Sequence, residues 1–267
     1  DEPVAALDLY NFAKELSFDV ISIGKGKNNP FNTFATPSSL TKEASLKQMN
    51  PKMLTSFVDG TKTMVEMAAL ANFLGFNIDI DGMHGIEATY ENINQYYIPK
   101  KDGGLLDESQ VVDFAFGIAP GVFAVIYSED DYVNYEMEYL KMGKGPYWTL
   151  ARPYHLTSLE IPRTIRHIML EKYSKLSAQS WNVEVVAHAK QDIEPGTNLG
   201  SIGGDYIYGK AQKTSSSKGL LPIGIAEDNV VTKAIAKGNP IAIDEVDAQD
   251  NELCEYWDYQ NQILDSD

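Results

Sequence analysis

Two spacings of apolar residues alternate along the chain, one helical and one extended, and the alternation predicts most of its elements. Ala5, Leu9, Phe12 and Leu16 recur at helical intervals. The run Phe18-Asp19-Val20-Ile21-Ser22-Ile23 comes next as a short β-rich segment that stops at Gly24. Helix, strand and Gly/Lys loop make one αβ unit of a parallel sheet, a layout that gathers ligands at the carboxyl ends of its strands. One such unit cannot form a sheet alone, so further chain is expected ahead of Asp1. Helical spacing returns over Leu54–Leu74, with Met64, Met67, Ala68, Ala71 and Leu74 on one stripe and Gly75 as the stop. Phe76–Ile80 reads as a strand and residues 86–97 as a short helix. Val111–Ile118 and Val122–Ser128 read as two strands paired about the turn Ala119-Pro120-Gly121. Asp131–Met142 fits strand or helix, and Ile161–Tyr173 is helical. The order indicates an α+β fold.

Composition shifts near Lys175–Ser180, and the remainder of the chain differs in kind. Val183–Ala189 reads as a strand, Glu194-Pro195-Gly196 as a turn, and small residues cluster at Gly203-Gly204 and Ser215–Ser217. A weak repeat sets Ile193-x-x-Gly196-x-x-Leu199 against Ile235-x-x-Gly238-x-x-Ile241, each copy preceded by a lysine, Lys190 and Lys233. Its physical content is two strand–turn–strand units of a compact all-β module. The acidic segment from Asp244 to Asp267 is expected to close the molecule, packed by Tyr256, Trp257 and Tyr259.

A length of 267 residues suits two domains, and 43% hydrophobic content is enough for real cores. The net charge of −16 argues against a nucleic-acid or anionic-membrane surface, either of which needs a basic stripe. The apolar run Val111–Tyr127 is broken by Asp113, Gly117, Pro120 and Gly121, so no membrane span is expected. Cys254 is the one cysteine, which excludes an intramolecular disulfide framework and fits a reducing, cytoplasmic compartment.

Chemistry is concentrated in loops. Gly24-Lys25-Gly26-Lys27-Asn28-Asn29-Pro30 sits just past a predicted strand, where lysines can neutralise a carboxylate, a phosphate or a developing oxyanion. A solvated turn is the plainer alternative, and a third glycine and a following helix are lacking for a dinucleotide fingerprint. Lys52, Asp59, Thr61, Lys62 and Thr63 lie around the start of the long helix, where amide ends favour anions; the plainer reading is a capped helix with Lys62 and Glu66 as a surface pair. Asp79-x-Asp81-x-x-His84 has the residue types of a metal site but reads more simply as a turn, and no metal is expected. Arg152-Pro153-Tyr154-His155 through Glu160 groups a cation, a phenol, an imidazole and a carboxylate, the groups of proton transfer and anion binding. His167 and His188 read as structural. No G-x-S-x-G elbow, P-loop, HExxH or cysteine–histidine pair occurs, so hydrolase and kinase readings have no support.

The strings GKGKNNP, MNPKMLTSFVDGTKTMVEMAALAN, GMHG, APGVF, KMGKGPYW and RPYHLTSLEIP together resemble the homoserine-dehydrogenase-like family that ends in a SAF domain. That family includes enzymes similar in activity to deoxyxylulose phosphate reductoisomerase. IGGDYIYG, GLLPIGIAED and AIAKGNPIAIDEV resemble its SAF module, a β-clip fold. The resemblance implies residues 1–24 as the end of a Rossmann domain, 25–180 as the catalytic domain and 181–267 as the SAF domain with its tail. It also implies NAD or NADP in the full-length protein, and since the glycine fingerprint is missing here, no cofactor and no activity in this fragment. Gly60-Thr61 matches the glycine–threonine motif that opens the family's long catalytic helix. Lys25 or Lys27 matches the lysine after a late Rossmann strand, in a Gly-Lys-Gly-Lys setting where Asn-Lys is usual.

The expected function is hydride transfer on a small polar, anionic substrate. Lys25, Lys27 and Lys62 would stabilise negative charge, and Asp59, His155 and Glu160 would move protons. Asn28, Asn29, Lys52, Thr61, His84, Arg152 and Tyr154 would hold the substrate. A homo-oligomer is expected. The alternative is a non-catalytic protein in which the SAF module binds a sugar acid or regulates a partner.

Overall fold

The computed structural model describes residues 2–171, 177–247 and 252–264. The chain divides into two compact units, one of residues 1–30, 65–183 and 211–214 and the other of 31–64, 184–210 and 215–267. Each unit is assembled from separated stretches of sequence. The elements in chain order are α1 (Glu2–Glu15), β1 (Asp19–Gly26), α2 (Pro37–Leu46), α3 (Pro51–Val58), α4 (Thr61–Leu74), β2 (Ile86–Glu87), β3 (Val111–Phe116) and β4 (Val122–Tyr127). They continue with α5 (Asp131–Tyr139), β5 (Tyr147–Arg152), α6 (Ile161–Glu171), β6 (Val183–Ala189), β7 (Ile207–Lys213), β8 (Val230–Val231), β9 (Val246–Asp247) and α7 (Glu252–Leu264). Among the described residues no helix is long and apolar enough to cross a membrane.

The first unit is built on a five-stranded sheet of order β2-β3-β1-β4-β5. β1 runs parallel to β3, with Lys25 opposite Phe114, and antiparallel to β4, with Lys25 opposite Val122. The expected αβ unit is therefore present, but its strand is the centre of a mixed sheet. β3 and β4 are not a hairpin, as the sequence suggests; the loop about Ala119-Pro120 carries the chain past β1, which lies between them. Val111, Ala115, Phe123 and Val125 share one sheet face with Tyr97, Ile93, Ile98 and Leu106. α1 packs on β1 and β4 through Ala5, Ala6 and Ala13, whereas Phe12 and Leu16 of the expected stripe are more than half exposed.

Three other expectations change. Phe76–Ile80 is not a strand: Asn77 alone bridges Val111, and Asp79 then ties the chain to Asp107 and His84. Residues 86–97 form the two-residue β2, paired with Ala115 and Phe116, and a single 3-10 turn at Ile93–Gln95. Asp131–Tyr139 is a helix, started by the Asp130 carboxylate accepting from the Tyr132 and Val133 amides. On α6, Ile161, Ile165, Ile168 and Met169 form a stripe in which every member is more than half exposed. Tyr173 and Lys175, part of the expected helix end and boundary, lie outside the described residues.

In the second unit, α2 and α3 pack around Ala35, Ala44, Leu54 and Val58. Thr36 and Asn50 cap these helices, each followed by a proline at the first turn. The single helix expected over Leu54–Leu74 is broken at Gly60, whose φ of +88° is left-handed and whose Cβ would meet the Phe31 ring at 2.2 Å. The repeat has a structural counterpart. Ile193 and Ile235 exchange backbone hydrogen bonds of 2.9 Å in both directions. The turn glycines match, with φ +87° at Gly196 and +85° at Gly238, and Leu199 and Ile241 are both fully buried. Short β pairings complete this part: β6 with β7, β8 with β9, and bridges Val186–Pro222, His188–Pro240 and Leu220–Ala242. The acidic C-terminal stretch does not close over its tyrosines. α7 leaves Tyr256 and Tyr259 more than 60% exposed, and 248–251 and 265–267 lie outside the described residues.

Candidate active site

The first unit buries an ion cluster at the carboxyl end of β1. Lys25 projects from the face opposite Ser22 and Gly24 and meets Glu2, from the first turn of α1, at 2.7 Å. It also pairs with Glu66 of α4. The three side chains are between 6% and 10% exposed, so this is an interior arrangement. His155 joins it from the segment after β5: Nδ1 lies 2.6 Å from the Pro120 carbonyl and Nε2 lies 3.5 Å from the same Glu2 oxygen that Lys25 holds. Because a carbonyl only accepts, Nδ1 carries the hydrogen, and Nε2 is the atom left to exchange a proton beside Glu2.

The glycines around Lys25 are explained by strand packing. A Cβ at Gly24 would lie 1.7 Å from the Asp113 carbonyl oxygen, and one at Gly26 would lie 2.4 Å from the Ala119 nitrogen. Lys27 is buried as well, with its amide donating to the Ala115 carbonyl at 2.8 Å. Asn28 is exposed and Asn29 half-buried.

Arg152, Tyr154 and Glu160 form a second polar group beside this one. The Arg152 guanidinium pairs with Glu160, stacks at 4.9 Å over the Tyr154 ring, and reaches Asp8 at 3.5 Å. With Leu156 and Arg163 these residues line an open cleft of about 460 Å³. Partial burial would raise the Glu160 carboxyl, but the Leu156 amide and the Arg152 and Arg163 charges together hold it below its usual value.

His84 belongs to a third network, on the opposite face of the sheet. Its Nε2 is 2.8 Å from Asp79, and its amide and that of Gly85 donate to the fully buried Asp113. Tyr97 donates to the same carboxylate at 2.9 Å. Burial pushes the Asp113 carboxyl up, and burial reinforced by the Asp113 charge pushes the Tyr97 phenol well up. Asp81 does not join His84 and Asp79 but accepts from Gln212. Among the described residues no group of three or more His, Cys, Asp or Glu is placed to hold a metal.

The remaining sequence candidates lie in the second unit. Asp59, fully buried, pairs with the Lys190 ammonium at 2.8 Å and accepts from the Thr61 amide. The Thr61 hydroxyl accepts from the Gly209 amide, Lys62 lies 4.9 Å over the Phe57 ring, and Lys52 is exposed and reaches Ser201. Burial pulls the Lys190 ammonium down, with Asp59 opposing it.

Sequence reasoning missed Glu2 and Glu66. Glu66 shows helical spacing from Lys62 and passes for a surface partner, and Glu2 looks like part of a charged opening. Only the sheet reveals that both reach one lysine. Lys190 carried a signal, as the lysine ahead of the first repeat copy.

No curated protein matches the chain. A family model described as oxidoreductase DRL, catalytic domain, matches residues 1–161. That span contains the whole buried Glu2–Lys25–Glu66–His155 arrangement, and the chain belongs to the oxidoreductase DRL family as a bearer of its catalytic domain.

Proposed function

We propose that the chain is the catalytic portion of an NAD(P)-dependent oxidoreductase, homoserine-dehydrogenase-like or reductoisomerase-like, acting on a small, polar, anionic carbonyl compound or hydroxy acid in the cytoplasm. One observation carries this reading: His155 Nε2 and Lys25 Nζ share a buried Glu2 oxygen at the carboxyl end of the central strand. Carbonyl reduction leaves negative charge on oxygen that a proton must quench, and oxidation of the alcohol runs the same path backwards. His155 is suited to that proton, because Pro120 fixes its ring and Glu2 steadies the positive form. Lys25 faces two carboxylates, so it is read as a positioning residue that holds Glu2 in place.

NAD or NADP would supply the hydride. Gly24 and Gly26 are pressed against the Asp113 and Ala119 backbones and offer no close approach to a pyrophosphate. The described residues therefore do not make a dinucleotide cradle. The reading of α1 and β1 as the last unit of a Rossmann-type domain rests on family resemblance. The test is steady-state kinetics of the nicotinamide-dependent enzyme containing this chain. His155→Gln should lower kcat by about 10²–10⁴ at unchanged melting temperature, and Lys25→Met should act in the same direction. A kcat within about threefold for the histidine variant, under 1 kcal/mol of barrier, removes the proposal.

The paired repeat at Ile193 and Ile235 favours a second reading, that the other unit contains a SAF-type β-clip binding a sugar acid. Calorimetric titration with aldarates should then give saturable heat, and none at millimolar ligand rejects it.

A further inference from the structure

The central strand has a second end, away from the buried ion cluster. Asp19 opens β1 about 20 Å from Lys25 along the strand. The register sets Asp19 opposite Tyr127 and Tyr127 opposite Tyr147, so these side chains share one sheet face in a row across β1, β4 and β5. They line a cleft of about 390 Å³, within the size range of small-ligand pockets. Tyr10 of α1 and Phe76, packed edge to face at 5.9 Å, line it as well.

The Tyr127 and Tyr147 rings lean together, with centroids 4.9 Å apart and planes tilted by 42°. Their hydroxyls are already engaged: Tyr147 donates to Asp102 at 2.6 Å and Tyr127 to Glu129 at 3.1 Å. What a ligand meets is therefore ring face, whose negative quadrupole is deepened by donation to a carboxylate. Partial burial, reinforced by the Glu129, Asp102 and Asp19 charges, pushes the Tyr127 phenol up, so all three carboxylates are felt at one ring. Burial and the bond to Asp102 push the Tyr147 phenol up in the same way. Lys14 and Lys101 also line the cleft, but among the described residues they pair with none of these carboxylates. Nor does any group of three or more His, Cys, Asp or Glu among the described residues converge on a metal. The negative charge is spread around aromatic surface instead, an arrangement that suits a cation with an organic body.

We propose that this cleft is a second ligand site, separate from the Lys25 cluster, and that it binds a small organic ammonium ion. The charged nitrogen rests over the Tyr127 and Tyr147 faces, with Asp19, Asp102 and Glu129 around it, and the apolar part of the ligand lies towards Tyr10 and Phe76. Three carboxylates against two lysines leave the cleft net negative.

Calorimetric titration of the chain with choline, and with 3,3-dimethylbutanol as its uncharged isostere, tests the assignment. Choline should bind saturably at about millimolar concentration, and the alcohol at least about tenfold more weakly. Asp19→Asn and Tyr127→Leu should each raise the choline Kd about 3- to 30-fold, whereas Tyr127→Phe, which keeps the ring, should stay within about threefold. Asp19 is exposed at the start of its strand, so its variant keeps the melting temperature and separates lost binding from lost fold. Absence of saturable heat up to about 20 mM choline overturns the proposal. Equal binding of the alcohol overturns it too, as does a choline Kd indifferent to both Asp19→Asn and Tyr127→Leu.

Discussion

Glu160 shows how a single side chain in the polar cleft sets a response to acid. Burial opposes its ionised form, yet the Leu156 amide and two guanidinium groups prevail and hold the carboxyl below 4.5. A depressed carboxyl stabilises the fold above its unfolded value, and that contribution is lost as pH falls through the folded value. Arg163 is 43% exposed, so solvent screening limits the effect to about 1 kcal/mol or less. The denaturation midpoint should therefore fall more steeply between about pH 5 and 3 in the native chain than in Glu160→Gln, with the gap narrowing at high salt. Parallel curves would mean the pair contributes nothing. The same cleft explains why Arg152, Tyr154 and Glu160 stand close in sequence: they satisfy one another.

Elements were legible where one spacing and one stop signal coincided. α1 agrees with periodicity and Gly75 ends α4 as expected, whereas β1 runs on through Lys25 to Gly26 instead of stopping at Gly24. The failures have a common cause in contacts distant along the chain. β3 and β4 look like a hairpin because their turn is short, but nothing local announces that β1 lies between them. Gly60 breaks a continuous helical pattern because the Phe31 ring occupies the space of a side chain, a contact across about thirty residues. The candidate site was half legible. Lys25 and His155 stood out as chemistry in loops, while Glu2 and Glu66 looked like solvated helix charges. A helical stripe also does not say which side faces inward, which is why Phe12 and Leu16 are exposed.

At the scale of the molecule, neither unit is a continuous stretch of sequence. Residues 184–210 and 215–267 share their unit with 31–64. The buried Lys190 ammonium depends on Asp59 for its counter-charge at 2.8 Å. Removing one member of a buried pair costs about 3–5 kcal/mol, a large part of a small domain's stability. Residues 181–267 produced alone should accordingly lack a cooperative thermal transition, and adding a separate 31–64 peptide should restore one. A sharp transition in the isolated piece would show that Lys190 finds another solution.

The interleaving also has a consequence in time. The α2–α3 hairpin, with Leu54 and Val58 on its inner face, leaves the ribosome before residues 65–183 have been made. At about 5–20 residues per second, that delay is roughly 6–24 s, far longer than a helical hairpin takes to form. For that interval the two helix-forming segments stand without the β-strands that complete their unit. The side-chain caps at Thr36 and Asn50 need nothing distant and favour helix in the nascent segment, but at ten and eight residues the two helices stay marginal in water until their partners arrive.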